Sequence, residues 1–206
     1  MLVATREIIL EKLLLLPRLI DAYQQGEVGF AAKAIRWLQD LEQSLSQLRS
    51  PLTSSASRQR ARIIAAQNGY REEAVNRGKL SRTKEINVTA SLALSAVEAE
   101  LVSQVQDIDR KFDVWRDKLA QFVSVASNVE PIPLPPVNPR REWLKLIWRN
   151  WGNIDDTKAM YSYLNTVMSP SDRLYLFGEL LEHNLESNGE PSPAAEETKP
   201  KRKRGK

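Results

Sequence analysis

Apolar residues recur at spacings of three and four almost everywhere before residue 128, and strict alternation of apolar and polar positions is nearly absent. That period belongs to helices with one buried face. The first predicted helix runs from about Thr5 to Gln25, with the seam Ile9, Leu13, Leu16, Ile20, Tyr23 and with Thr5 as its cap. Pro17 lies inside it and removes one backbone donor, so a kink or a split is expected there. Gly26 ends it.

The second helix, about Glu27 to Leu48, carries Ala31, Ile35 (or Ala34), Leu38, Leu41, Leu45 and Leu48. It stops at Ser50-Pro51, because the residue before a proline avoids helical geometry. Serines in 53–57 offer caps for a third helix, expected to start near Ser57, to break or bend at Asn68-Gly69 and to end at Gly78.

A fourth helix, about Lys84 to Ser127, is the longest. Its seam reads Leu94, Val97, Leu101, Val105, Ile108, Phe112, Trp115, Leu119, Phe122, Ala126. From Leu101 the steps alternate four and three, a coiled-coil type of repeat, and the two successive fours around Leu101 have the form of a stutter. At 1.5 Å per residue this helix is roughly 60 Å long. One apolar seam of that length must be covered along most of its course, by the first two helices and by a second copy or another protein.

Residues 129–139 are rich in proline and form a stiff, extended connector. Beyond it, 140–187 reads as a small module of three short helices beginning near Arg140, Asp155 and Ser171. Ser169-Pro170-Ser171-Asp172 combines a cap, a first-turn proline and an acid near the helix dipole. Residues 188–206 lack large apolar side chains and are expected to be disordered. The predicted fold is all-α: an elongated antiparallel helical bundle (1–128) with one long coiled-coil-like helix, the linker, the small helical module and a disordered basic tail.

Composition narrows the chemistry. There is no cysteine and a single histidine, His183. Disulfides, thiolate metal sites and a cysteine nucleophile are therefore excluded, as are multi-histidine zinc and iron sites. The apolar run Leu13-Leu14-Leu15-Leu16 is flanked by Arg6, Glu7, Glu11, Lys12 and Pro17-Arg18. It is too short for an export signal or a membrane span. The expected setting is the cytoplasm, or the nucleus in a eukaryote, with no membrane contact.

Net charge is +4 but unevenly placed: residues 58–84 hold eight basic and two acidic side chains, and 188–206 hold six and three. Arg58, Arg60, Arg62, Arg71, Arg77, Lys79, Arg82 and Lys84 are the candidate nucleic-acid contacts, since arginine neutralises phosphate and donates paired hydrogen bonds to it. On one continuous helix they do not share a face, and the competing reading is that they pair with the acidic fourth helix. A helix-turn-helix fits the stretch only in part: Ala65, Gly69, Tyr70 and Val75 take plausible positions, whereas Asn68 and Gly78 sit where apolar residues pack. Lys201, Arg202, Lys203 and Arg204 in the tail resemble a nuclear-import signal, and equally a nonspecific polyanion arm.

Trp143, Trp148 and Trp151 concentrate in the C-terminal module with Tyr161, Tyr163, Tyr175 and Phe177. A segment of about 48 residues cannot bury them all alone, so surplus apolar surface docks on the bundle or on a partner. The three tryptophans are the candidate partner surface, and Arg140, Arg141, Lys145 and Arg149 beside them also suit stacking on unpaired bases.

Asp109, Asp113 and Asp117, beside Asp107, line one helix face but are interleaved with Lys111, Arg116 and Lys118, which makes them a solvated face rather than a metal site. Asp155-Asp156 reads as first-turn capping, and His183 as a surface residue near a helix end. No phosphate loop, serine-nucleophile motif or kinase signature occurs. The expected function is a non-enzymatic, cofactor-free helical scaffold or accessory subunit of a larger assembly, nucleic-acid-associated, with other subunits or itself as partner and DNA or RNA as a further one. The alternative is a pure protein–protein adaptor or coiled-coil oligomer.

Overall fold

Among the described residues the three–four period becomes helix. A computed structural model of the chain describes residues 1–70, 80–133 and 140–189, with side chains as far as Asn184, and it contains no strand among them. The helices are α1 (Leu2–Gln24), α2 (Phe30–Gln47), α3 (Leu52–Gln67), α4 (Arg82–Val129), α5 (Arg140–Trp151), α6 (Lys158–Val167) and α7 (Pro170–Gly189). A 3-10 turn, Asp155–Thr157, precedes α6. Two compact units result: Met1–Trp115 with Met168–Asp172, and Arg116–Val167 with the chain from Arg173.

The first unit has one core shared by four helices. Ile9 and Leu16 of α1 meet Trp37, Leu38, Leu41 and Leu45 of α2, Ala56 and Ile63 of α3, and Ala90, Ala93, Leu94, Val97 and Leu101 of α4. Each large apolar side chain enclosed there contributes about 1.5–3 kcal/mol. α2 follows its expected seam, with Ala34 rather than Ile35 fully buried and with Phe30 and Trp37 added. Thr89 in α4 is also buried, its hydroxyl donating to the Glu85 carbonyl one turn back.

Pro17 lies inside α1 without ending it. Its ring nitrogen donates nothing, which loosens the hydrogen-bond ladder of the preceding turn. There the Trp37 indole N–H, 3.3 Å away, donates to the carbonyl of Lys12. Past the proline Ala22 is buried and Leu19 packs on the core, whereas Ile20 is 37% exposed. The expected seam thus misses at Ile20, whose place on the core Leu19 takes, and holds again at Tyr23.

α3 starts at Leu52, five residues before the predicted Ser57. The proline at 51 already has the φ of a helix first turn (−63°), a position proline suits. Thr53 and Ser54, read as caps, instead donate back to the carbonyls of Ser50 and Pro51 from inside the helix. At the other end Gly69 takes φ +98°, and the Gly69 and Tyr70 N–H groups return to the carbonyls of Ala66 and Ala65. That left-handed closure is cheap only for glycine. The predicted continuation to Gly78 falls in 71–79, outside the described residues.

α4 covers 48 residues, or roughly 72 Å of helix. Leu94, Val97, Leu101, Ile108, Phe112, Leu119, Phe122 and Ala126 are buried along it, and Val105 and Trp115 half-buried. By length and composition alone α4 is apolar enough to cross a membrane, with 33% of its most apolar 18-residue window enclosed by the fold.

The second unit is built on aromatic rings. Phe122, near the end of α4, lies 4.8 Å from the Trp148 ring centroid, 6.2 Å from Trp151 and 6.3 Å from Phe177. Trp148 and Trp151 each meet Phe177 nearly edge-on, the arrangement that aromatic quadrupoles favour. The surplus apolar surface of the C-terminal helices is therefore covered in part by the last turns of α4. Thr157, buried in the 3-10 turn, closes against the carbonyls of Trp151 and Ile154.

Candidate interaction surfaces

The basic segment divides into a described and an undescribed part. Arg58, Arg60 and Arg62 lie on α3, and Arg82 and Lys84 at the start of α4; Arg71, Arg77 and Lys79 fall outside the described residues, as do Lys201, Arg202, Lys203 and Arg204 of the tail. Arg60 Nε donates to Glu42 of α2 at 2.9 Å, with both side chains largely covered. Arg58 reaches Glu100 of α4 at 3.4 Å and the Ser55 hydroxyl at 3.3 Å. Arg62 donates to Gln59. Arg82 donates to the Gln67 carbonyl at 2.7 Å, and Lys84 is exposed. The Arg58 and Arg60 guanidinium groups thus face carboxylates, and each such neighbour cancels part of the potential a phosphate would feel.

On α5 the charges are arranged otherwise. Leu144, Ile147, Trp148 and Trp151 form the buried face. Arg141, Lys145 and Arg149 recur every fourth residue along the outward side, and all three are exposed. Lys145 pairs with Glu142 at 2.7 Å within the same helix, and Arg140 pairs with Glu182 of α7. Arg141 and Arg149 make no ion pair among the described residues. Lys145, by hydrogen bond and by charge, and then Arg141 and Arg149 by charge alone, hold the Glu142 carboxyl below its ordinary value. That lowering reports a positive local potential.

Of the three tryptophans expected at a partner surface, Trp148 is 4% exposed and Trp151 1%. Both are core rings, because Phe122 and Phe177 enclose them. Trp143 is half-buried, and neither its indole nitrogen nor that of Trp148 has a hydrogen-bond partner. Among the described aromatics of the C-terminal helices, Tyr163 and Tyr175 are the exposed ones. The Arg173 guanidinium lies 4.8 Å over the Trp148 ring and donates to Asn165.

Asp107 and Asp109 of α4 are engaged with cations. Arg6 Nε donates to Asp109 at 2.6 Å, and Asp107 pairs with Arg110. No group of three or more histidine, aspartate or glutamate side chains stands ready to hold a metal ion among the described residues. An open groove of about 420 Å³ runs beside Asp107, Arg110, Lys111, Val114 and Trp115. A crevice of about 30 Å³ lined by Leu16, Tyr23, Phe30 and Leu94 has room for roughly one water.

No known family, curated protein or solved structure matches the chain.

Proposed function

We propose that this protein is a non-enzymatic helical accessory subunit that scaffolds a larger, nucleic-acid-associated assembly. In this reading α1, α2 and α4 pack as an antiparallel bundle, and α4 extends it as a coiled-coil-like seam. The observation that carries the proposal is α4 itself. It buries a four–three seam from Leu101 to Ala126, yet leaves Val102 and Val114 at 40% and 54% exposure. Val114 also lines the open groove on its outer side. Apolar surface held out on a long rigid helix is the raw material of a protein interface. Association with nucleic acid draws its support from the concentration of positive charge in 58–84 and in the tail.

The second reading, a protein–protein adaptor or coiled-coil oligomer without nucleic-acid contact, is favoured by the ion pairs Arg58–Glu100 and Arg60–Glu42. Two measurements separate the two. Full-length protein is titrated with labelled duplex and single-stranded oligonucleotides over a salt series, where phosphate contact gives an affinity falling steeply with salt. Multi-angle light scattering then reports self-association. Salt-sensitive binding supports the first reading; a stable oligomer that ignores oligonucleotides supports the second; a monomer that ignores them and binds no hydrophobic dye removes both.

A further inference from the structure

We propose that the outward face of α5, carrying Arg141, Lys145 and Arg149, is the surface of this protein that grips the phosphate backbone of nucleic acid. The inference rests on the nucleic-acid-associated reading above and names a different contact from the arginines of α3.

Three observations lead to it. The first is register. Residues spaced by four on a helix rise about 6 Å per step and turn by only about 40°, so the three cations form one stripe at intervals that suit successive phosphates of a strand. The second is freedom from internal partners. Arg58 and Arg60 sit against Glu100 and Glu42, whereas Arg141 and Arg149 have no carboxylate partner among the described residues, and Lys145 has only the exposed Glu142 within its own helix. An exposed pair of that kind contributes little and yields readily to a phosphate. The third is the potential of the face: one acid, Glu142, stands among three cations, and those cations hold its carboxyl in the charged form.

The stripe is also held rigidly. Leu144, Ile147, Trp148 and Trp151 anchor the adjoining side of the same helix in the aromatic core. The helix is therefore positioned before a ligand arrives, and only the long side chains need to be ordered. Guanidinium groups at two of the three positions add bidentate hydrogen bonds to phosphate oxygens.

The test compares full-length wild type with Arg141→Gln/Lys145→Gln/Arg149→Gln and with Arg58→Gln/Arg60→Gln/Arg62→Gln. A fluorescein-labelled 20-nucleotide single strand and the matching duplex serve as probes, with circular dichroism showing that each variant keeps its helix content. The tail is the same in all three proteins, so its contribution cancels. The α5 variant is expected to bind at least about tenfold more weakly at low salt, and to lose about 2 from the slope of log affinity against log salt. The α3 variant should stay within about threefold of wild type. Wild-type binding left unchanged by the α5 substitutions overturns this assignment while leaving the nucleic-acid-associated reading intact. Absence of wild-type binding to either probe overturns that reading and this assignment with it. Displacement of the oligonucleotide by polyglutamate at equal charge concentration overturns the assignment too, since the face then recognises an acidic protein.

Discussion

The carboxylate of Asp172, in the first turn of α7, lies 2.9 Å from the backbone nitrogen of Val3 in the first turn of α1. Its other oxygen accepts the N–H of Leu2, also at 2.9 Å. Meanwhile Ser169, just before α7, donates its hydroxyl to the same carboxylate at 2.6 Å and accepts the Asp172 N–H at 3.2 Å. One side chain therefore accepts the hydroxyl that caps its own helix and itself caps a second helix remote in sequence. Both helix N-termini carry partial positive charge, and Asp172 is 1% exposed.

Replacing this residue should be costly for its size. Asp172→Ala leaves the Leu2 and Val3 donors without their acceptor and removes a buried charge from two helix ends. The expected loss is about 2–4 kcal/mol, from a cap and two hydrogen bonds to a charged group. Urea denaturation followed by circular dichroism measures it. A loss below about 0.5 kcal/mol would mean that water caps α1 equally well.

The same carboxylate should make stability depend on pH in one direction. Burial alone raises its pKa, but the hydrogen bonds from the Ser169 hydroxyl and the Val3 and Leu2 N–H groups outweigh burial and hold it below the ordinary 3.8. A folded value lower than the unfolded one means that the unfolded chain binds the proton more readily. The stabilisation is then complete above 3.8 and is lost as pH falls through the lower, folded value. Asp172→Asn has no such carboxyl. The stability gap between wild type and Asp172→Asn should be largest near about pH 6 and shrink toward about pH 2. An equal gap at both ends would refute the linkage.

Much of this architecture was legible from spacing alone, and the exceptions have local causes. All ten positions of the α4 seam are buried or half-buried, because an uninterrupted helix keeps its phase over its whole length. The seam of α1 departs at Ile20 alone, where neighbouring Leu19 packs on the core instead and Tyr23 resumes the pattern. The start of α3 was misplaced because serine and threonine hydroxyls bond backward inside helices as readily as they cap them. The tryptophans are visible in the sequence as a cluster of which a small core takes some, but which rings it encloses is not: that depends on Phe122, which belongs to the α4 pattern in sequence and to the aromatic core in space. Likewise Arg60 reads as free charge until Glu42, eighteen residues earlier, is placed opposite it. The sequence marks Asp172 as an acid near its own helix dipole, and nothing in local sequence announces its bond to Val3.

Two glycines in the C-terminal unit should respond oppositely to a methyl group. Gly152 follows α5 directly, and a Cβ there would fall within the Tyr161 ring, which is itself stacked on Trp148 at 5.2 Å. Gly152→Ala should cost about 1–3 kcal/mol, since a core ring must move. Gly178 lies inside α7, where a Cβ meets only the Leu144 Cδ1 at 3.1 Å, the far end of a flexible side chain. Alanine is the better helix former by about 1 kcal/mol, so Gly178→Ala should be neutral or mildly stabilising. Thermal melts of the two variants decide the matter; a destabilised Gly178→Ala would show that Leu144 cannot turn aside.

Arg173 offers the sharpest separation of charge from packing. Its guanidinium lies over the Trp148 ring at 4.8 Å and its Nε is buried without an acceptor. No carboxylate pairs with it among the described residues. Burial pushes its pKa down, against the opposing influence of Tyr161, so the charge is poorly accommodated. What it supplies instead is an apolar stem and a cation–π contact of about 0.5–2 kcal/mol. Methionine keeps the stem, gives a sulfur–aromatic contact of about 0.3–1.5 kcal/mol and removes the uncompensated charge. Arg173→Met should therefore lie within about 1 kcal/mol of wild type or above it, whereas Arg173→Ala should lose about 1–2 kcal/mol. Chemical denaturation read by tryptophan fluorescence compares the two. If methionine loses as much as alanine, the charge and its hydrogen bond to Asn165, rather than the stem, hold this side chain in place.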